Sequence, residues 1–283
     1  MKIACVGDNC VDYYDNTGEA FPGGNPVNVA VYARRMGGQY AYLGAVGSDE
    51  YGGLILRALE EKGVDVRRVK RLPGATALSH VCLIDGERVF GDYDEGVMAQ
   101  FVLAPGDVEF LCSHDLVVSG LWGRVEKSLA QIAARGVPVA FDCAERPEDE
   151  AAQIALPHTT LAFFSDDASD LERLKERLTA VAALGPRVVV ATRGEKGSVA
   201  FDGAAFHTQG VLPCVVKDTM GAGDSYIAGF VMEYLRGKDI PACMAAGAAS
   251  SAVTSAAAPS TTTSSARKRV SAARRPQYSS VRS

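Results

Sequence analysis

The run Asp218-Thr-Met-Gly-Ala-Gly-Asp224-Ser-Tyr carries the clearest chemical potential in the chain. It follows the apolar stretch Val211–Val216 and leads into Ile227, Phe230, Val231, Tyr234 and Leu235 at helical spacing. Gly221, Ala222 and Gly223 therefore stand at a helix N-terminus. The first N–H groups of a helix have no intrahelical partner, and its dipole is positive there. Both favour an anion, typically phosphate, and small side chains let it approach the backbone. Asp224 closes this turn. Beside a bound phosphate it accepts a proton from an attacking hydroxyl; alternatively it only caps the helix, and the glycines only form a tight turn.

The surrounding elements alternate. Lys2–Gly7 reads as a short buried strand, Asn25–Met36 as a helix stopped by Gly37-Gly38, and Tyr40–Val46 as a strand. Asp49 can cap a helix whose apolar positions run Tyr51, Leu54, Ile55, Ala58 and Leu59, ending at Gly63. Ala77–Ile84 and Arg88–Tyr93 are β-type runs joined through Asp85-Gly86, a hairpin signal with no helix between. They leave the βα rhythm and fit a small sheet over a site, a lid built from about 10–22 and 75–97. Strands then fall at Leu116–Ser119, Pro138–Asp142, Thr160–Phe164 and Arg187–Thr192, with helices near Val125–Arg135 and Ala168–Leu184. A second hairpin turns at Asp202-Gly203, and helices near Ala222–Arg236 and Ile240–Ala257 follow. This alternation predicts an α/β fold with a mostly parallel sheet covered on both faces, binding its ligand beyond the carboxyl ends of the strands.

Composition narrows the class. The 283 residues carry a net charge of −5, but six of the 29 Lys/Arg and none of the 34 acids lie after Ala258. An acidic body over 1–258 thus meets a basic tail over 259–283. The acidic body argues against nucleic acid as a partner. The tail lacks an apolar face and is expected to be disordered, an appended or altered C-terminus starting near Ala257. Seven cysteines include no Cys-x-x-Cys pair, so reduced thiols in a cytoplasmic protein and no structural zinc are expected. Ile240–Ala266 is uncharged but Ala/Ser/Thr-rich, so it reads as a packed helix rather than a membrane span. No Gly-x-Gly-x-x-Gly follows the first strand, and neither a P-loop nor a Gly-x-Ser-x-Gly elbow occurs, which speaks against a dehydrogenase, a P-loop kinase and an α/β-hydrolase.

Four segments together resemble a known family. DTMGAGDSYIAGF over 218–230, Gly23-Gly-Asn-Pro-Val-Asn28-Val-Ala30, Gly44-Ala-Val-Gly47-Ser-Asp49-Glu-Tyr-Gly52 and Thr192-Arg-Gly194-Glu-Lys-Gly197 are similar, in order, to the signatures of the ribokinase/phosphofructokinase-B carbohydrate kinases. Gly7-Asp-Asn-Cys-Val-Asp12, the FPGGNPVNVAVY run and Arg88–Met98 resemble that family's fructoselysine-kinase branch. The resemblance covers roughly Met1–Ala257 and implies a ribokinase-like α/β/α fold. It implies transfer of phosphate from ATP to the 6-hydroxyl of a fructosyl-amine, such as fructoselysine. Other sugar or nucleoside kinases of the family, and a non-catalytic sugar or nucleotide binder, remain alternatives.

Residue by residue, the resemblance makes Asp224 the general base and Gly221, Ala222 and Gly223 the anion hole. Asp12, Gly23, Gly24 and Asn28 match sugar-contacting positions; Asp8 and Asn9 are either sugar contacts or loop caps. Thr192, Gly194 and Gly197 match the ATP loop, and Asp218 a K⁺ ligand position. A homodimer through the lid is a further expectation. Mg²⁺ is implied, yet the family's Asn-x-x-Glu stretch is replaced by Phe163-Phe-Ser165-Asp-Asp-Ala168-Ser-Asp170. Asp166, Asp167 and Asp170 either serve the metal through water or are helix-start carboxylates, the second being preferred. The acidic strand end, Asp92 to Glu95, either faces the sugar site and attracts a cationic lysine moiety or is merely solvated.

Overall fold

The computed structural model describes residues 1–84, 87–167, 170–256 and 268–269. Along the chain these form β1 (Lys2–Val6), β2 (Cys10–Tyr14), β3 (Glu19–Gly23), α1 (Asn25–Arg35), β4 (Gln39–Leu43), β5 (Ala45–Gly47), α2 (Glu50–Glu61), β6 (Lys70–Leu72), β7 (Leu78–Ile84) and β8 (Glu87–Asp94). There follow α3 (Pro105–Leu111), β9 (Leu116–Gly120), α4 (Leu129–Ala133), β10 (Val139–Asp142), α5 (Glu150–Ala155), β11 (Leu161–Ser165), α6 (Leu171–Ala182) and β12 (Val188–Thr192). The chain closes with β13 (Ser198–Phe201), β14 (Phe206–Gln209), α7 (Ala222–Leu235), α8 (Ile240–Ala256) and the short β15 (Lys268–Arg269).

Eight strands make the main sheet in the order β14-β13-β12-β11-β10-β9-β1-β4. The six from β4 to β12 pair in parallel, and only the β12–β13 and β13–β14 pairings are antiparallel. Strands β1, β9, β11 and β12 are buried on both faces, which explains their near-continuous apolar runs. Alternate residues feed two cores. Ile3, Val118, Phe163 and Val190 pack with α1, α7 and α8 on one side. Ala4, Val117, Phe164 and Val189 pack with α3, α4 and α6 on the other. The period of two along each strand thus produces the three-layer arrangement.

A second, five-stranded sheet runs β15-β3-β2-β7-β8. It leaves the main rhythm where the sequence predicts a hairpin; Asp85 and Gly86 themselves lie outside the described residues. So does the tail over 259–283, except that Lys268 and Arg269 pair antiparallel with Ala20 and Glu19 of β3.

The helix near Val125–Arg135 is shorter than its pattern suggests: a 3₁₀ turn at Glu126–Ser128 precedes α4. The expected strand Tyr40–Val46 divides at Gly44, whose bare backbone packs on Gly7 and the Tyr42 hydroxyl. Among the described residues no helix is long and apolar enough to cross a membrane. The uncharged α8 instead packs on α7. Gly229 and Gly247 permit that approach, since a Cβ at Gly229 would lie 2.6 Å from the Ala246 carbonyl.

Candidate active site

Two helix N-termini converge beyond the carboxyl ends of β1, β9 and β10. Helix α7 starts from Gly221, in the left-handed conformation at φ 70°. A Cβ at Gly221 would strike the Tyr32 ring of α1, so conformation and packing both demand glycine. Ala222 N–H bonds Thr219, whereas a Cβ at Gly223 would meet nothing within 4 Å. The turn therefore opens onto space at Gly223, in the first helical turn where N–H groups lack intrahelical partners. Behind it, Ser225 shares hydrogen bonds with Ser250 at 2.7 Å and Thr254 at 2.8 Å, fixing the start of α7 to α8.

Asp224, in the first turn of α7, is held by two amides of α1. Asn25 Nδ2 donates to its Oδ1 at 2.7 Å and Asn28 Nδ2 to its Oδ2 at 2.8 Å. Burial pushes its carboxyl up to about 6; Asn28 and Asn25 oppose that shift, and the charge of Asp12 adds to it. Asp142, at the end of β10, accepts from the same Asn25 Nδ2 at 2.7 Å. Burial, then the charge of Asp224, push Asp142 up to about 7. Asp8 stands at about 6 through burial, and its Oδ2 accepts the Asn25 backbone N–H at 3.3 Å. Asp8 thus caps α1 from another element, because the N-cap residue Gly24 has no side chain to do so.

The glycines of this region make room. Gly24 sits at φ 108°, and an added Cβ would stand 2.7 Å from Asn9 Cα. A Cβ at Gly23 would stand 2.7 Å from Asp12 Oδ2, so its absence leaves space for the Asp12 carboxylate. Asn9, read as either a sugar contact or a loop cap, commits its NH₂ group within the protein. It is fully buried, and its Nδ2 donates inward to the Tyr42 hydroxyl at 2.8 Å and the Ala45 carbonyl at 2.7 Å. It anchors the loop from beneath.

The acidic strand end is divided. Asp92 is exposed on β8. Glu95 pairs with Arg124 at 3.2 Å, linking the small sheet to the loop after β9. That loop also carries Trp122, about half exposed, with the Arg146 guanidinium 5.8 Å from its ring centre. Arg124 itself holds a left-handed φ of 56°.

On the other flank, Thr192 ends β12 and its Oγ1 lies 3.0 Å from Ser165 Oγ. Gly194 and Gly197, at φ 55° and 83°, shape the following turn. A Cβ at Gly197 would collide with Gln209, whereas Gly194 has nothing nearer than Asp167 Oδ1 at 3.8 Å. A bond between Ser198 Oγ and the Tyr226 hydroxyl at 2.8 Å ties this edge to α7. Asp218 lies on the loop before α7, accepting the Met220 N–H at 2.9 Å.

Two of the three carboxylates in place of Asn-x-x-Glu, Asp166 and Asp170, are committed to protein partners. Asp166 pairs with Arg177 at 2.8 Å, Arg177 also grips Glu148, and Asp170 caps α6 through the N–H groups of Glu172 and Arg173. Among the described residues no group of three or more His, Cys, Asp or Glu is arranged to hold a metal. Asn25 and Asp142 are the two members of the site that the sequence reading does not single out. Asn25 lies within the Gly23–Asn28 run; Asp142's signal is its place at the carboxyl end of a parallel strand.

A family model described as pfkB family carbohydrate kinase matches residues 2–266. The chain belongs to that family. This carbohydrate kinase is 44% identical over 245 residues to a fructoselysine 6-kinase of Shigella flexneri, covering 87% of this chain and 94% of that protein. It is 34% identical to a fructosamine kinase of Bacillus subtilis, covering 88% of each. Its fold superimposes on the ribokinase of Arabidopsis thaliana with a TM-score of 0.80, covering 90% of this chain and 92% of that one at 22% identity.

Proposed function

We propose that this kinase transfers the γ-phosphoryl group of ATP to the 6-hydroxyl of a fructosyl-amino acid, with fructoselysine as the preferred acceptor. The observation that carries the reading is the Asp224 carboxylate, held by Asn25 and Asn28 at the open N-terminus of α7. The names of the Shigella and Bacillus relatives supply the acceptor class.

In this mechanism Asp224 takes the proton of the attacking hydroxyl. A carboxyl near 6 is ionised at neutral pH yet more basic than an ordinary carboxylate, the compromise a general base needs. The Gly221–Gly223 turn receives the negative charge of the phosphoryl oxygens through N–H groups already in place. Asp12, Gly23, Gly24, Asn28 and Asp8 would surround the sugar, and Thr192, Gly194 and Gly197 the nucleotide. The small sheet acts as a lid that excludes water and so limits hydrolysis of ATP. Mg²⁺ would arrive on the nucleotide phosphates, since Asp166 is tied to Arg177. One loop carboxylate, Asp218, suits a monovalent ion; equal rates in K⁺ and Na⁺ would count against that role. Dimerisation through the small sheet belongs to the same reading, and sedimentation measures it.

The test is ADP release with ATP and Mg²⁺ over fructoselysine, other fructosamines, fructose, ribose and nucleosides. Asp224→Asn should lower kcat by about 10²- to 10⁴-fold. Full activity in that variant, or no turnover of any sugar by the parent, sinks the reading. The Glu95–Arg124 pair favours one second reading, a neutral sugar as acceptor, because it occupies a charge that would otherwise meet the lysine moiety. Asp92→Asn with Glu95→Gln should raise KM for fructoselysine more than for fructose; equal effects favour the neutral sugar.

A further inference from the structure

We infer that Asp142 is a positioning residue for phosphoryl transfer: it fixes the Asn25 amide with its NH₂ group toward the two carboxylates and, through that amide, the orientation of the Asp224 carboxylate. The inference rests on the reading of Asp224 as base. Asn25 Nδ2 has two hydrogens. It lies 2.7 Å from Asp142 Oδ2 and 2.7 Å from Asp224 Oδ1, so both are committed. Above about pH 7, where Asp142 as well as Asp224 is ionised, each carboxylate only accepts, and two of them facing one amide admit a single orientation. Turned over, the amide would set its oxygen against both.

The opposite end of the amide bears this out. Asn25 Oδ1 is buried without a hydrogen-bond partner, beside Gly120, where an added Cβ would stand 3.0 Å from it. No hydrogen bond compensates that oxygen, so the two bonds made at Nδ2 are what hold the amide in this orientation. Asp142 itself is well anchored. Its Oδ1 accepts the Ala144 N–H at 2.9 Å, and its backbone carbonyl accepts from Leu121 at 2.9 Å. Ala144 adopts a left-handed φ of 52°, uncommon for a residue with a Cβ, in presenting that N–H. Rigid strand β10 thus reaches the base on α7 through one amide on α1. Each oxygen of Asp224 has its own donor, Asn25 for Oδ1 and Asn28 for Oδ2, which leaves the carboxylate little freedom to rotate.

A double-mutant cycle on fructoselysine with ATP and Mg²⁺ at about pH 8, where Asp142 is ionised, tests this, using the parent, Asp142→Asn, Asn25→Ala, the double variant and Asp224→Asn, with Tm measured for each. An asparagine at 142 both donates and accepts, so the Asn25 amide is released. Asp142→Asn should lower kcat by about 10- to 100-fold, the scale of a small misplacement. KM should stay within about threefold. In the Asn25→Ala background the same change should alter kcat by no more than about threefold, because the link is already cut. Asp142→Glu, still acceptor-only, should retain more kcat than Asp142→Asn. An unchanged kcat in Asp142→Asn, or its full effect persisting without Asn25, overturns the inference while Asp224→Asn remains inactive. Full activity in Asp224→Asn overturns the base assignment instead. Should Asp142→Asn not fold, Asp142→Ser takes its place in the cycle.

Discussion

Asp224 illustrates how burial and hydrogen bonding act against each other on one side chain. Desolvation raises its carboxyl, and the Asn28 and Asn25 amides pull it back. The proposed base works only when ionised, so kcat/KM should fall as pH drops through about 6, tenfold per unit below it. Removing the Asn28 amide by Asn28→Ala deletes a bond that favours the charged form. The acidic limb should then move to higher pH; a limb that stays or moves down contradicts the arrangement. Asp224 and its glycines are legible in the sequence because their signal is local: small residues and a carboxylate where helical periodicity begins. Asp142 is not, because its meeting with Asn25 joins residues 117 apart in sequence. Asn9 shows the converse. Its residue type suits a sugar site, but only the structure reveals that its NH₂ group is spent on Tyr42 and Ala45.

Among elements, α7 does most to set the site, and its stability depends on α8. Eight consecutive residues, Ser225–Met232, are buried, so α7 has no solvent face over that stretch. Gly229→Ala would press a methyl group onto the Ala246 carbonyl and should cost about 1–3 kcal/mol, read as a lower Tm. An unchanged Tm would mean the helices part without penalty. Apolar runs and turns reveal the main strands and long helices in advance. They miss α3 and α5, which span seven and six residues, too few to display a helical period. They also overextend α4, where Pro138 and Gly136 set the start of the next strand but nothing marks the preceding 3₁₀ turn.

At the scale of the whole molecule, the main sheet carries the cores and both helix N-termini, and the small sheet carries Asp12 and Glu95. The link between Glu95 and Arg124 joins the two. Both side chains are about half exposed, so the pair should contribute only about 0–1 kcal/mol to stability. Arg124→Ala should therefore leave Tm nearly unchanged. If the small sheet closes over the acceptor, the same variant should raise the sugar KM and the rate of ATP hydrolysis without acceptor. An unaltered KM and hydrolysis rate would show that the link plays no part in closure. The antiparallel pairing of β7 with β8 is readable from the hairpin signal between their runs; the cross-sheet ion pair is not, since Arg124 belongs to a loop with no periodic pattern.

Trp122, on the same loop, is the single tryptophan of the chain. Half exposed and close to the Arg146 guanidinium, it places the protein's entire indole emission on the loop whose Arg124 reaches Glu95. The unmodified kinase thus carries its own optical reporter. Acceptor binding that covers this loop should shift that emission to shorter wavelength, and a stopped-flow trace of it would time closure separately from chemistry.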